Sequence, residues 1–128
     1  MWVFLNNAML SIVADMNDRD RLLVRARCDG DIERTFPDAE TFTDPTADYY
    51  WRAYLPRDVV AKALADRIED IGYTNFKNSI PKPDMERHGA YIGVWSVMNR
   101  YQNNNRYAQE YAASAIADAL WDDEPIEV

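Results

Sequence analysis

The sequence predicts an α+β fold: a two-layer sandwich whose four-stranded antiparallel sheet carries its helices on one face, in the order β-β-β-α-β-α-α-α. Three observations predict it. Four short segments before residue 56 are apolar runs or alternate in polarity at the period of a strand. The first three are joined by short links, which pair consecutive strands antiparallel. From Pro56 onward, apolar residues recur every three or four positions, the period of a helix.

Trp2–Leu5 and Met9–Ala14 are short apolar runs separated by Asn6-Asn7-Ala8. Asparagine tolerates left-handed backbone, so the pair reads as a β-hairpin. Asp15–Asp20 is a polar turn. Arg21–Arg27 is the third strand, with Leu22, Val24 and Ala26 on one face and Leu23, Arg25 and Arg27 on the other. Asp29–Phe36 reads as a short helix with Asp29 as N-cap and with Ile32 and Phe36 one turn apart. Two prolines and a run of acids make Pro37–Asp48 a loop. Tyr49–Leu55 is the fourth strand, placing Tyr49, Trp51, Ala53 and Leu55 on one face and Tyr50, Arg52 and Tyr54 on the other.

Pro56 then opens a helix, because its missing N–H is not needed in a first turn. Val60, Leu64, Ile68 and Ile71 form its stripe, and Gly72 stops it. Residues 73–82 are irregular. A third helix begins at Pro83, and its stripe of Tyr91, Val94, Trp95, Met98 and Tyr101 reads as core. Asn103-Asn104-Asn105 reads as a hinge-like break, Arg106–Trp121 as an Ala-rich fourth helix and Asp122–Val128 as an acidic tail. The expected organisation is a core domain over residues 1–102 and a C-terminal helical arm with its tail over residues 103–128.

Composition narrows the function. With 48% hydrophobic and 28% charged residues among 128, the chain suits one folded domain. It has one Cys and one His, so an internal disulfide is impossible and a zinc site built on those residues is nearly excluded. There is no run of about 18 apolar residues to span a membrane. The apolar start lacks the basic segment of a signal peptide. A cytoplasmic location is expected, and the lone thiol agrees with it.

The net charge of −8 is unevenly spread. Residues 28–48 set Arg34 against Asp29, Asp31, Glu33, Asp38, Glu40, Asp44 and Asp48. Residues 103–128 set Arg106 against Glu110, Asp118, Asp122, Asp123, Glu124 and Glu127. The rest is nearly neutral. Two acidic segments on such a body repel free nucleic acid and attract a basic partner surface, besides keeping a small protein soluble.

Catalytic signatures are sparse. A nucleophilic triad must use His88, which sits in the exposed-looking context Glu86-Arg87-His88-Gly89. Cys28 reads as a small, buried or half-buried residue at a strand end. Asp15-x-Asn17-Asp18-x-Asp20 gathers oxygen ligands but lacks the glycine and distal glutamate of a calcium loop. The four glycines are scattered and form no phosphate-cradling loop. No metal and no cofactor are expected.

One constellation stands out. Pairing of the third and fourth strands puts Arg25 and Arg27 on a face with Tyr50, Arg52 and Tyr54. Cations interleaved with aromatics on a sheet are what single-stranded nucleic acid uses for phosphate contact and stacking. The same arginines can instead meet acids of this chain, which ranks first, or an anionic patch on a protein, which ranks second. Lys77, in Asn75-Phe76-Lys77, joins Arg25, Arg27 and Arg52 as a candidate anion-binding residue; the alternative is a solvated lysine beside a Phe76 that anchors the segment.

Met1-Trp2-Val3-Phe4, the strand Arg21–Arg27, Tyr54-Leu55-Pro56-Arg57, Gly72-Tyr73-Thr74-Asn75-Phe76-Lys77 and Val94-Trp95-Ser96-Val97-Met98 are spread over residues 1–102. On these the chain resembles a family of small bacterial and phage-borne proteins without an established activity. The resemblance therefore implies neither a reaction nor a catalytic residue, and residues 103–128 extend past it. An acidic, phage-like small protein with an added arm also looks like an inhibitor of host machinery, such as an anti-CRISPR or other anti-defence protein.

The expected function is thus a non-enzymatic module that occupies a basic protein surface. Asp29, Asp31, Glu33, Asp38, Glu40, Asp44, Asp118, Asp122, Asp123 and Glu124 would supply the charge complementarity. The alternatives are a single-stranded nucleic-acid-binding sheet and a small enzyme holding an anionic metabolite with Arg25, Arg27 and Lys77. A second copy docking through residues 106–121 is a further expectation.

Overall fold

The computed structural model describes residues 1–121. The chain divides into two units, Met1–Met85 and Glu86–Val128. The first is an α+β unit built on an antiparallel sheet. Its strands are β1 (Trp2–Leu5), β2 (Ala8–Ala14), β3 (Arg21–Ala26), β4 (Phe42–Thr43) and β5 (Trp51–Pro56), in the spatial order β1-β2-β3-β5-β4. The sheet therefore has five strands rather than four. The extra one, β4, lies inside the segment expected to be a loop and pairs Phe42 with Arg52 and Thr43 with Trp51. Two residues are too short to show an alternation, and the Phe42 ring stacks on Tyr54 at 5.7 Å, a contact across the sheet that local pattern does not carry.

Leu10 and Ile12 of β2, Val24 and Ala26 of β3, and Ala53 and Leu55 of β5 all project to one face, at alternate positions. Helix α1 (Asp31–Thr35) covers them with Ile32 and Phe36, and helix α2 (Arg57–Glu69) with Val60, Ala63 and Leu64. Nine of these side chains form one buried cluster. The N-cap of α1 is Gly30, not Asp29. Gly30 takes φ 84°, left-handed backbone that suits a residue without Cβ. Pro56 ends β5 and is the N-cap of α2, one residue ahead of the first-turn place expected for it, and the helix ends at Glu69 before reaching Gly72. Only the first half of its stripe is covered, and Ile68 and Ile71 are exposed.

The Asn6-Asn7 turn is not held by left-handed backbone, since Gly30 is the one residue with positive φ among those described. Two arginines hold it instead. Arg67 of α2 donates to the side-chain oxygens of Asn6 and Asn7 at 3.2 and 2.7 Å, and Arg34 of α1 donates to the Asn7 carbonyl at 2.8 Å.

The polar turn after β2 is also internally bonded. The buried Asp15 carboxylate accepts the Asn17 N–H at 3.0 Å, and Arg21 grips it through Nε and Nη2, both at 2.7 Å. The Asn17 hydrogen bond and then the Arg21 guanidinium hold the Asp15 carboxyl below its ordinary value of 3.8, against burial, which raises it. A lowered carboxyl stabilises the fold above its unfolded pKa and loses that contribution as pH falls through the folded value. Asp15→Asn is expected to unfold at a lower urea midpoint than the wild type at pH 7. Its midpoint should then fall less steeply between about pH 5 and about pH 1, and an unchanged slope would count against this role.

Among the described residues the second unit is helix α3 (Met85–Trp121), whose first residue, Met85, is the last of the first unit. It runs 37 residues without interruption, about 55 Å at 1.5 Å per residue. The expected break at Asn103–Asn105 is absent. Asparagine lowers helix stability by less than about 0.7 kcal/mol per residue, and three such penalties do not stop a long helix that lacks an internal proline. The Asn105 amide donates to the Tyr101 carbonyl at 3.0 Å, and Arg106 pairs with Glu110 at 2.9 Å across the next turn. The stripe expected to be core is largely exposed: Tyr91 is buried, but Val94, Trp95, Met98 and Tyr101 are 39–63% exposed. No described helix is long and apolar enough to cross a membrane.

Candidate functional site

The sheet face opposite α1 and α2 carries the cations. Register aligns Trp2, Ser11, Arg25, Arg52 and Phe42 in one row across all five strands. Arg25 and Arg52 are thus direct cross-strand neighbours of like charge, a pairing that destabilises a sheet unless something offsets it. Hydrogen bonds to oxygens do so, and one more holds the neighbouring Arg27. Arg25 Nη2 donates to the buried Ser11 Oγ at 2.7 Å, Arg52 Nη1 donates to the Tyr49 carbonyl at 3.3 Å, and Arg27 Nη1 donates to the Asp48 carbonyl at 3.2 Å. The guanidinium carbons of Arg25 and Arg27 lie 4.6 and 4.1 Å from the centre of the Tyr49 ring.

Tyr49 is therefore not on the Trp51–Ala53–Leu55 face. It precedes β5, leaves the strand alternation and places its ring against the arginines. Beside this group, Arg21 lies 4.2 Å from the centre of the Tyr54 ring, whose partner is Phe42. Among the described residues, Arg25, Arg27 and Arg52 form no ion pair, and the buried Arg25 Nε has no hydrogen-bond partner. The described acids form no ion pair with the group, although the Arg52 charge, after the two Thr46 hydrogen bonds, helps to lower the Asp44 carboxyl. Lys77 opens a single 3-10 turn (Lys77–Ser79) outside the strands, half-buried, and Asn75 accepts the Asn78 N–H at 3.1 Å beside it.

The candidate acids divide by environment. Asp31 is 1% exposed. Its carboxylate accepts the Met9 N–H at 2.9 Å and pairs with Arg34, so it is a framework residue and does not present charge to a partner. Asp44 closes a turn by accepting the Thr46 hydroxyl at 2.7 Å and the Thr46 N–H at 2.9 Å, and these two bonds hold its carboxyl below the usual range. Asp29, Asp38 and Glu40 are exposed, and Glu33 is half-buried. None of these four forms an ion pair among the described residues. Asp118 is exposed on α3, and Asp122, Asp123 and Glu124 lie outside the described residues.

Three features escaped the sequence. Tyr49 and Ser11 complete the arginine group, and only the register reveals Ser11. A cleft of about 410 Å³ lies between β1 and the end of α2, lined by Val3, Leu5, Leu64, Ile68 and Tyr73 with Arg67 at its side. Cys28, expected to be at least half-buried, is exposed and free.

Comparison with protein-family models, with curated proteins and with solved structures finds no match. The function is therefore read from these surfaces.

Proposed function

We propose that the protein is a non-enzymatic binding module that docks on a basic protein surface through the acids around α1. The observation that supports this reading is the contrast between its carboxylates. Asp15 and Asp31 are buried and matched by arginines, whereas Asp29, Glu33, Asp38 and Glu40 carry no ion pair among the described residues. Glu33 lies in, and Asp29, Asp38 and Glu40 flank, a helix that Ile32 and Phe36 anchor in the core, so the charge sits on a fixed frame. Fixed charges of one sign raise association rates and select partners of the opposite sign. Where the partner surface normally takes nucleic acid, as in nucleic-acid-handling or anti-phage defence machinery, occupancy makes this module a competitive inhibitor.

A pull-down across a salt series tests it. Raising salt from about 0.1 M to about 1 M shortens the screening length from about 10 Å to about 3 Å and should release the bound partner. The combined variant Asp29→Asn, Glu33→Gln, Asp38→Asn, Glu40→Gln should lose retention already at low salt. Retention indifferent to both changes overturns the proposal.

Arg25, Arg27 and Arg52, which form no ion pair among the described residues, favour a second reading, a sheet that binds single-stranded nucleic acid, with Tyr54 and Phe42 as stacking surfaces. Retention of an oligonucleotide at low salt, abolished by replacing Arg25, Arg52 and Tyr54 together, would establish it. No retention by the wild type ends it.

A further inference from the structure

We infer that α3 is a self-pairing helix, and that two copies of this chain associate through it in antiparallel orientation. The inference does not depend on the acidic surface. It starts from the row Val94, Met98, Tyr101, Asn105, Ala108, Ala112, Ala115 and Ala119, whose spacing alternates strictly between four and three residues. That is the heptad repeat of a helix meant to pack on another helix. At 100° per residue the row occupies one side of α3, and Arg100, Arg106, Glu110 and Asp118 all fall on the other. The row is exposed: Val94, Met98 and Tyr101 are 39%, 56% and 63% accessible, and every alanine in it is exposed. An open groove runs along its flank, lined by Met98, Tyr101, Gln102, Asn105 and Gln109.

Two asymmetries identify the occupant as a second copy and set its direction. The first is size. The N-terminal half of the row holds Val94, Met98 and Tyr101, and the C-terminal half holds four alanines. Parallel pairing would stack Tyr101 on Tyr101 and alanine on alanine, which forces the helices apart at one end and leaves voids at the other. Antiparallel pairing about a point between residues 106 and 107 sets Val94 against Ala119, Met98 against Ala115, Tyr101 against Ala112 and Asn105 against Ala108. Each layer then joins a larger residue to an alanine, and the spacing stays even.

The second is charge. Arg100 and Arg106 precede Glu110 and Asp118, and the sequence after Trp121 adds Asp122, Asp123, Glu124 and Glu127. These charges lie off the row, and Arg106 pairs with Glu110 of its own helix, so they act through their field rather than by contact: a parallel pair brings like-charged halves together, whereas an antiparallel pair brings the cationic half of one helix beside the acidic half of the other. The complement of each half is thus carried by the same helix.

Sedimentation equilibrium on the full chain should give twice the 14.9 kDa chain mass, dissociating on dilution. Met98→Glu with Ala112→Glu should return the mass to 14.9 kDa with unchanged far-UV circular dichroism. Direction is read in a Cys28→Ser background with a short bismaleimide cross-linker. Chains carrying Tyr101→Cys should cross-link to chains carrying Ala112→Cys, and neither should cross-link to its own kind. In the antiparallel register the two copies of residue 101 are separated by about 16 Å along the axis. A 14.9 kDa mass at every concentration, or a dimer indifferent to the two glutamates, overturns the pairing, and Tyr101→Cys cross-linking to itself overturns its direction.

Discussion

Leu10→Ala is expected to lower the unfolding free energy by about 2–5 kcal/mol. Leu10 is fully buried in β2, a strand with neighbours on both sides, and stands opposite Val3 and Ala26. Removing its three outer carbons loses their transfer energy and leaves a cavity that regular pairing on both edges keeps from closing. Domains of this size are stable by about 5–15 kcal/mol, so the change consumes a large part of the margin. Urea titration should show a lower midpoint with an unchanged slope. A loss below about 1 kcal/mol would mean that the space is refilled and that the cluster is less tightly packed than its burial indicates.

Asp31→Ala is expected to destabilise by about 2–3 kcal/mol through a different mechanism. The substitution strands the Met9 N–H and releases Arg34, which now holds the Asn7 and Asp29 carbonyls. The estimate lies below the range for a fully buried pair because the Arg34 side chain is 42% exposed and regains water. Asp31→Asn keeps an acceptor for Met9 and should lose roughly half as much. Equal losses for the two variants would refute the Met9 contact as the source. Both variants should also weaken the acidic surface, since Asp31 and Arg34 fix the helix that Asp29 precedes and that carries Glu33.

Much of the first unit was legible because its signals are local. Alternation in Arg21–Arg27 and the aromatic run Tyr49–Leu55 identify two strands and place Arg25 and Arg52 on a common face, and Pro56 marks the start of α2. What was not legible depends on partners distant in sequence. β4 exists because Phe42 meets Tyr54 and Arg52, not because two residues announce a strand. Asp31 looks like any other acid in its segment until the fold brings Met9 to it. Tyr49 was assigned by extending a strand past its end. In α3 the spacing of Val94, Met98 and Tyr101 reads as core, yet these side chains are 39–63% exposed, because periodicity marks an apolar face and does not say what covers it. The candidate site shares this division. The unpaired arginines were named from the sequence, whereas the separation of exposed from matched carboxylates required the hydrogen bonds.

The grip of Arg34 and Arg67 on the Asn6-Asn7 turn bears on the order in which the protein is made. An isolated two-stranded hairpin is marginal in water. Here the ligature of its bend comes from a residue 60 positions later in the chain. The β1–β2 hairpin is therefore completed only after α2 has been synthesised, and until then the nascent chain carries Val3, Leu5 and Leu10 without their cover.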